Sequence, residues 1–218
     1  MKKINVLLAD DHAILRKGIR VLLDAEKDIK VVGEAENGRQ ALELSKLLSP
    51  EVVIMDISMP ILNGTEATRQ ILDNMPDTKV IILSAHGSDE NIEQVVAAGA
   101  SGYLMKITSV ENIAKAIREV CRGNTFFESA AAKRIYARFT KSPSSGNLIK
   151  TRGSILSLRE REVLQLVAEG MANKEIAGEL KISVKTVEKH RQQLKMKLQI
   201  HDTAGLTRYA ISTGVIYN

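Results

Sequence analysis

A parallel, doubly wound α/β sheet of five strands, followed by a separate all-helical domain, is the architecture that these 218 residues predict. Three observations carry it. Through the first 122 residues, short apolar runs alternate with amphipathic helical patterns, as repeated βα units do. After Gly123 the alternation stops, and FTKSPSSGNLIKTRGS collects Ser, Gly, Pro and Lys without an apolar period, as a linker would. Beyond Ser154 the pattern is helical throughout. The expected boundaries are 1–122 for the α/β domain, 123–153 for the linker and 154–218 for the helical domain.

The strands are INVLLAD, IKVVGEA, EVVIMD, KVIILSA and GYLMK, each apolar on both faces. Strands of that kind need helices on both sides, which gives a parallel sheet with right-handed crossovers. The helices are expected at about Ala13 to Ala25, Gly38 to Leu48, Gly64 to Asn74, Asp89 to Ala98 and Val110 to Cys121. In the last of these, Val110, Ile113, Ile117, Val120 and Cys121 recur at helical spacing. Cys121 is therefore expected to be a small buried thiol, and one cysteine excludes an intramolecular disulfide framework.

Sites in such sheets form at the carboxyl ends of the strands. Asp10 and Asp11 follow the first strand, Asp56 ends the third, Ser84 the fourth and Lys106 the fifth, so these residues converge from across the chain. A buried carboxylate such as Asp56 needs a partner. Clustered carboxylates suit Mg²⁺, and a carboxylate beside that ion, with a lysine neutralising charge, can attack a phosphoryl group. Asp56 would then be the nucleophile, Asp10 and Asp11 the metal holders, Lys106 the phosphate counter-ion and Ser84 a hydroxyl donor. Alone, DDH at Asp10 to His12 is also a common helix-start pattern, and His12 reads as a partly solvated residue of that start or as a metal ligand.

Together LLADDH, VVIMDISMPILNG, IILSA and GYLMK resemble the receiver domain of bacterial two-component response regulators, a flavodoxin-like fold. The resemblance implies phosphoryl transfer from a sensor histidine kinase to Asp56, with Mg²⁺ held by Asp11, Asp56 and the backbone carbonyl of Ser58, helped by Asp10. It also implies that Ser84 and Tyr103 act as a switch pair, and that Ser58 and His86 tune the lifetime of the phosphoryl group. Ile107 stands where many such domains carry proline, so a cis peptide after Lys106 is not assumed.

Charge separates the two ends of the chain. Residues 1–122 carry 15 Lys and Arg against 18 Asp and Glu, residues 123–150 five against one, and residues 151–218 eleven against seven. The basic end is the candidate for a polyanionic partner. Aromatic residues make up only 3%, with no Trp, which excludes base-stacking platforms for single strands. No apolar run is long enough for a signal peptide or a membrane span, so a soluble cytoplasmic protein without a membrane partner is expected.

Four helices are expected in the basic end: Ser157 opens the first through the capping box SLRE, Asn173 caps the second, Ser183 the third, and Asp202 or Thr203 starts the fourth. The second and third have the plan of a helix-turn-helix. Val184, Val187, Leu194 and Leu198 give the third helix an inward face, while Lys185, Glu188, Lys189, Gln192 and Met196 lie on another that could meet base edges. A solvated amphipathic helix would share this pattern.

LSLREREVLQLVAEGMANKEIAGELKISVKTVEKHRQQLKMKL further resembles the LuxR-type DNA-binding domain, and the whole chain a NarL/FixJ-type response regulator. By that resemblance, Val184 to Leu198 is the recognition helix, with Glu188, Lys189 and Gln192 facing bases of double-stranded DNA. Lys174, Lys185, His190 and Arg191 are phosphate contacts, His190 being equally a packing residue, and Glu162 is structural. Leu206, Tyr209 and Ala210 supply a dimer contact. A homodimer on two-fold related sites is the form expected after phosphorylation, with RNA polymerase a candidate partner. The chain is thus expected to be a regulator, not an enzyme. A Mg²⁺-dependent phosphatase would need a cap insertion that the tight loops lack. A regulator that binds DNA constitutively stays open.

Overall fold

A computed structural model of the chain describes residues 3–85, 88–141 and 155–216, so His86 lies outside the described residues, as do residues 142–154. The chain divides into two compact units, Met1–Ser145 and Gly146–Asn218. In the first, β1 (Ile4–Ala9), β2 (Ile29–Ala35), β3 (Val52–Asp56), β4 (Lys79–Ser84) and β5 (Gly102–Met105) alternate with α1 (Ala13–Asp24), α2 (Gly38–Leu48), α3 (Gly64–Asn74), α4 (Asp89–Ala97) and α5 (Val110–Cys121). Side-chain caps start four of these helices: Asn37, Asn63, Ser88 and Ser109 each accept a backbone N–H three residues on.

The sheet has six strands rather than five. The added β6 (Phe126–Phe127) pairs parallel with the outer edge of β5 and leads into α6 (Ala130–Lys141), giving the order β2-β1-β3-β4-β5-β6. Both lie in the stretch expected to be linker, where the helical pattern of SAAAKRIYARF is borne out by α6 and only the strand is unforeseen. Two residues are too short for a strand period, so only the free edge of β5 reveals the pairing.

Every strand runs parallel to its neighbours, and the order reverses direction between β1 and β3. A crevice opens there at the carboxyl ends, with Asp10 after β1 and Asp56 closing β3. One layer of core beneath the sheet joins Val6, Leu8, Ile54, Ile81, Leu83 and Leu104 to Ile113 and Ile117 of α5. Cys121, at the end of α5, is exposed rather than buried. Val120 takes the inward position at the helix end instead.

The second unit holds α7 (Leu158–Ala168), α8 (Asn173–Leu180), α9 (Val184–Leu198) and α10 (Thr203–Ser212). The Ser157 capping box is reciprocal: Ser157 N–H donates to Glu160 at 2.6 Å and Glu160 N–H to Ser157 Oγ at 3.3 Å. Ser183 and Asp202 cap α9 and α10. The second helix departs from expectation, because Ala172 is its N-cap and Asn173 its first residue; the Asn173 side chain instead accepts from Arg191. Among the described residues, no helix is long and apolar enough to cross a membrane.

One glycine bears directly on the crevice. At Gly64 a Cβ would run into the carbonyl oxygen of Asp56, while its N–H donates to Ile57 O at 2.8 Å, so α3 starts flush against the end of β3. Gly64→Ala is expected to destabilise the chain by about 1–3 kcal/mol through overpacking. Gly18→Ala, inside α1 with nothing within 4 Å of the added carbon, is expected to stabilise it by about 0.5–1 kcal/mol. Urea denaturation of both variants checks the pair.

Candidate functional site

The strand ends gather two carboxylates and an ammonium. Lys106 Nζ lies 2.8 Å from Asp56 Oδ2 and 2.9 Å from Asp10 Oδ2, bridging the ends of β3 and β1 from the end of β5. Asp56 is only 2% exposed and Asp10 4%. The ammonium therefore offsets the repulsion between two carboxylates held so close together. Asp11 and His12 complete the cluster: His12 Nδ1 stands 2.7 Å from Asp11 Oδ1 and 3.1 Å from Asp10 Oδ1, on an exposed ring.

One ligand atom from each of Asp10, Asp11, His12 and Asp56 falls within 4.8 Å of the others. Carboxylate oxygens dominate that set, which suits a hard divalent cation and makes the cluster able to hold a metal ion. Ser58 contributes a backbone N–H donated to the Asp56 carboxylate.

Burial is the largest influence on Asp56 and pushes its pKa up from 3.8 to about 6. The Lys106 hydrogen bond and charge oppose it, the Asp10 charge adds to it, and the Ser58 N–H opposes it. For Lys106, burial disfavours the ammonium, but hydrogen bonds to Asp56 and Asp10 prevail and raise its pKa. Tyr103 is 1% exposed, its phenol raised by burial, and its hydroxyl is hydrogen-bonded to the buried Ser84. Ile107 is exposed, and the peptides of the described residues are all trans.

Arg16 is a participant that the expected site residues do not include. It is 5% exposed, and its guanidinium donates to Asp10 O at 2.6 Å, Glu34 at 3.1 Å and Glu36 at 2.9 Å. The first bond holds the turn that carries Asp10 and Asp11. Its signal in the sequence is an arginine three residues before Ile19, on the stripe of α1 that faces inward with Leu23.

In the helical unit, Lys185, Glu188, Lys189, Gln192 and Met196 are all exposed along α9, and Lys174 is exposed on α8. Val187 and Leu194 are fully buried and Leu198 partly so, whereas Val184, expected to face inward, is 40% exposed in the first turn. His190 turns Nδ1 into the protein, where it has no hydrogen-bond partner among the described residues. Arg191 points along the fold, donating to Asn173 Oδ1 at 3.0 Å and Thr203 Oγ1 at 3.2 Å, so it ties α9 to the starts of α8 and α10. Glu162 is buried and paired with Arg159 at 2.6 Å. Of the three residues expected at a dimer contact, Leu206 and Ala210 are fully buried in the unit's own core, and Tyr209 is partly exposed.

The Asp56 carboxyl titrates higher in the fold than in the unfolded chain. Between about pH 4 and pH 6 the folded state therefore binds the extra proton, and stability falls as pH rises through that window. With metal chelated, Asp56→Asn is expected to gain up to about 3 kcal/mol over the wild type at pH 7.5. The gain is expected to vanish near pH 4. Thermal denaturation across that range in EDTA checks the direction.

Residues 6–118 match the response regulator receiver domain, and residues 154–210 match the luxR family of bacterial regulatory proteins. The chain is 38% identical over 214 residues to the transcriptional regulatory protein MctR of Rhizobium johnstonii, covering 98% of this chain and 96% of that one. It is 39% identical over 207 residues to the transcriptional regulatory protein LiaR of Bacillus subtilis, covering 95% and 96%. The solved RcsB response regulator of Salmonella typhimurium superposes with a TM-score of 0.61 at 28% identity, covering 98% of this chain and 99% of that one. A structure of an RcsB–DNA complex gives 0.56 at 27%, covering 97% and 99%. With both domains matched in order and relatives aligned along nearly the whole length, the chain belongs to the two-component response regulators that join a receiver domain to a LuxR-type DNA-binding domain.

Proposed function

We propose that a sensor histidine kinase phosphorylates Asp56 and that the phosphorylated chain binds double-stranded DNA as a dimer to regulate transcription. The observation that carries this reading is the Lys106 ammonium, seated within 3 Å of both Asp56 and Asp10 at the sheet's switch point. In the proposed transfer, an ionised Asp56 oxygen attacks phosphorus in line, the P–N bond to the kinase imidazole breaks, and its electron pair returns to the ring nitrogen. Asp56, at about 6, is mostly ionised at neutral pH, as a nucleophile must be. Lys106 takes charge from the transferring oxygens, and the Ser84 hydroxyl can donate to one of them in place of Tyr103.

Asp11, Asp56 and the Ser58 carbonyl, helped by Asp10, would hold Mg²⁺, which when bound neutralises phosphoryl charge as a hard cation does. Residues 1–122 are the proposed receiver and 154–218 the proposed DNA-binding domain. The intervening stretch begins with the β6–α6 segment.

On the DNA side, the exposed Glu188, Lys189 and Gln192 of α9 are the proposed base-facing residues, with Lys174 and Lys185 on phosphates. His190 and Arg191 are better supported as internal supports of the helix, given the buried Nδ1 and the bonds to Asn173 and Thr203. For the dimer, Tyr209 lines a shallow groove with His201, Asp202 and Arg208, while Leu206 and Ala210 hold the helix behind it. RNA polymerase is a further proposed partner, the cytoplasm the proposed location, and no separate catalytic substrate is proposed.

Gel shifts on selected DNA, with and without acetyl phosphate and Mg²⁺, test the switch. Donor-dependent binding that disappears in Asp56→Ala is expected, and equal binding by both proteins in both conditions would overturn the reading. Lys189→Ala is expected to weaken DNA binding with an unchanged melting temperature, and to lower the salt slope by about one phosphate's worth if its partner is the backbone. Arg191→Ala is expected to lower stability by about 1 kcal/mol through its lost hydrogen bonds, measured by denaturation in the absence of DNA.

A further inference from the structure

Residues 126–141 fold back onto the β5 edge of the sheet and onto α4. Phe126 and Phe127 pair with Gly102 and Tyr103 of β5, and Glu128 N–H donates to Tyr103 O at 3.1 Å. The Glu128 carboxylate then accepts from Met105 N–H at 3.2 Å, from the Thr108 hydroxyl at 2.8 Å and from Asn112 Nδ2 at 3.5 Å. Met105 and Thr108 flank Lys106 on its two sides. Lys106 in turn donates its N–H to Ser84 O at 2.7 Å while its ammonium bridges Asp56 and Asp10. Farther along, α6 packs against α4, burying Ala132 and Ile135, and the Phe127 and Tyr136 rings lie 4.7 Å apart.

We propose that Glu128 is a positioning residue that clasps the β5–α5 turn to the β6–α6 strap, and that phosphorylation of Asp56 releases the clasp. The inference rests on reading Asp56 as the phosphoacceptor. A phosphoryl group brings additional negative charge beyond the carboxylate. In this proposal the Lys106 ammonium shifts from Asp10 toward that charge, and the backbone of Met105 to Thr108 moves with it. The Ser84 hydroxyl, drawn to a phosphoryl oxygen, leaves Tyr103, the residue whose carbonyl holds Glu128 N–H. The clasp bonds lie at the surface and are individually weak, which suits a contact made to be broken. Loss of the clasp loosens the two-residue strand pairing, while the buried Phe127, Ala132 and Ile135 keep the rest of the strap in place. The strap leads in sequence to the DNA-binding domain, so its release is the first mechanical consequence of phosphorylation on that side of the chain.

The test is amide hydrogen exchange at Phe126 and Glu128, whose N–H groups donate to Ser101 O and Tyr103 O, in the full chain, with and without acetyl phosphate and Mg²⁺, with phosphorylation followed by intact mass. In the wild type the donor is expected to speed exchange about tenfold, the scale of losing one or two weak hydrogen bonds. In Glu128→Ala exchange is expected to be fast already and unmoved by the donor, while Val52 to Asp56 stay protected and Asp56 is still phosphorylated. Glu128→Gln, which keeps an acceptor oxygen, is expected to recover part of the donor response. Phosphorylation that leaves strap exchange unchanged in the wild type, or a Glu128→Ala response equal to that of the wild type, overturns the clasp alone. Failure of the donor to modify Asp56 overturns the phosphoacceptor reading and the clasp with it.

Discussion

Two carboxylates and one ammonium, shut away at the carboxyl edge of the sheet, set the terms for the rest of the receiver unit. Asp56 and Asp10 repel each other, and burial penalises the charge on Asp56. Lys106 offsets that penalty from a third strand, so its position has to be as well determined as theirs. A parallel sheet with apolar residues on both faces provides that precision: Val52 to Met55 are buried on every side, which leaves Asp56 no freedom at the end of the run. Gly64 brings α3 against the Asp56 carbonyl, and Arg16 fixes the Asp10 carbonyl from the other flank. Rigid packing of this kind transmits displacement rather than absorbing it.

The helical unit uses charge in the opposite way. Its core needs few residues of α9, chiefly Val187 and Leu194, and the face carrying Lys185, Glu188, Lys189 and Gln192 stays polar and exposed. Two kinds of basic residue share the helix. Lys185 and Lys189 project into solvent, where a polyanion would meet them. Arg191 spends its guanidinium on Asn173 and Thr203, and so sets the angle at which the exposed face is presented. A guanidinium suits that task because its planar fork makes two directed bonds from one rigid group.

Most of the α/β unit was legible because its signals are local and repeated. The five longer strands are apolar runs, and the helix starts carry Asn or Ser with the geometry that caps require. The cluster of Asp10, Asp11, Asp56 and Lys106 was legible from a rule of topology applied to four strand ends. What stayed hidden is long-range or too short to have a period. Two phenylalanines do not announce a strand, and Glu128 reaches Met105 across 23 residues. Arg16 reads as a surface arginine until Glu34 and Glu36 are seen beside it. Cys121 and Val184 sit at helix ends, where one residue's rotation carries a side chain off the apolar stripe. Asn173 has the right chemistry for a cap but serves Arg191, leaving Ala172 at the boundary.

The same burial that makes Asp56 costly to ionise also makes it a suitable acceptor in the proposed reaction. A carboxylate held at about 6 is more basic than an ordinary one, yet still mostly ionised at neutral pH. Phosphorylation then places further negative charge in a crevice where Asp10 and Asp11 already stand. In the proposed switch Lys106 meets that charge by shifting from Asp10, and Ser84 by giving up Tyr103. The new state is therefore reached by exchanging partners within one set of hydrogen bonds, which frees Asp10 after β1 and Tyr103 on β5. Of these, β5 adjoins the β6 edge from which the chain departs toward the DNA-binding domain, so a local change of charge at Asp56 becomes a change in what holds the end of the receiver together.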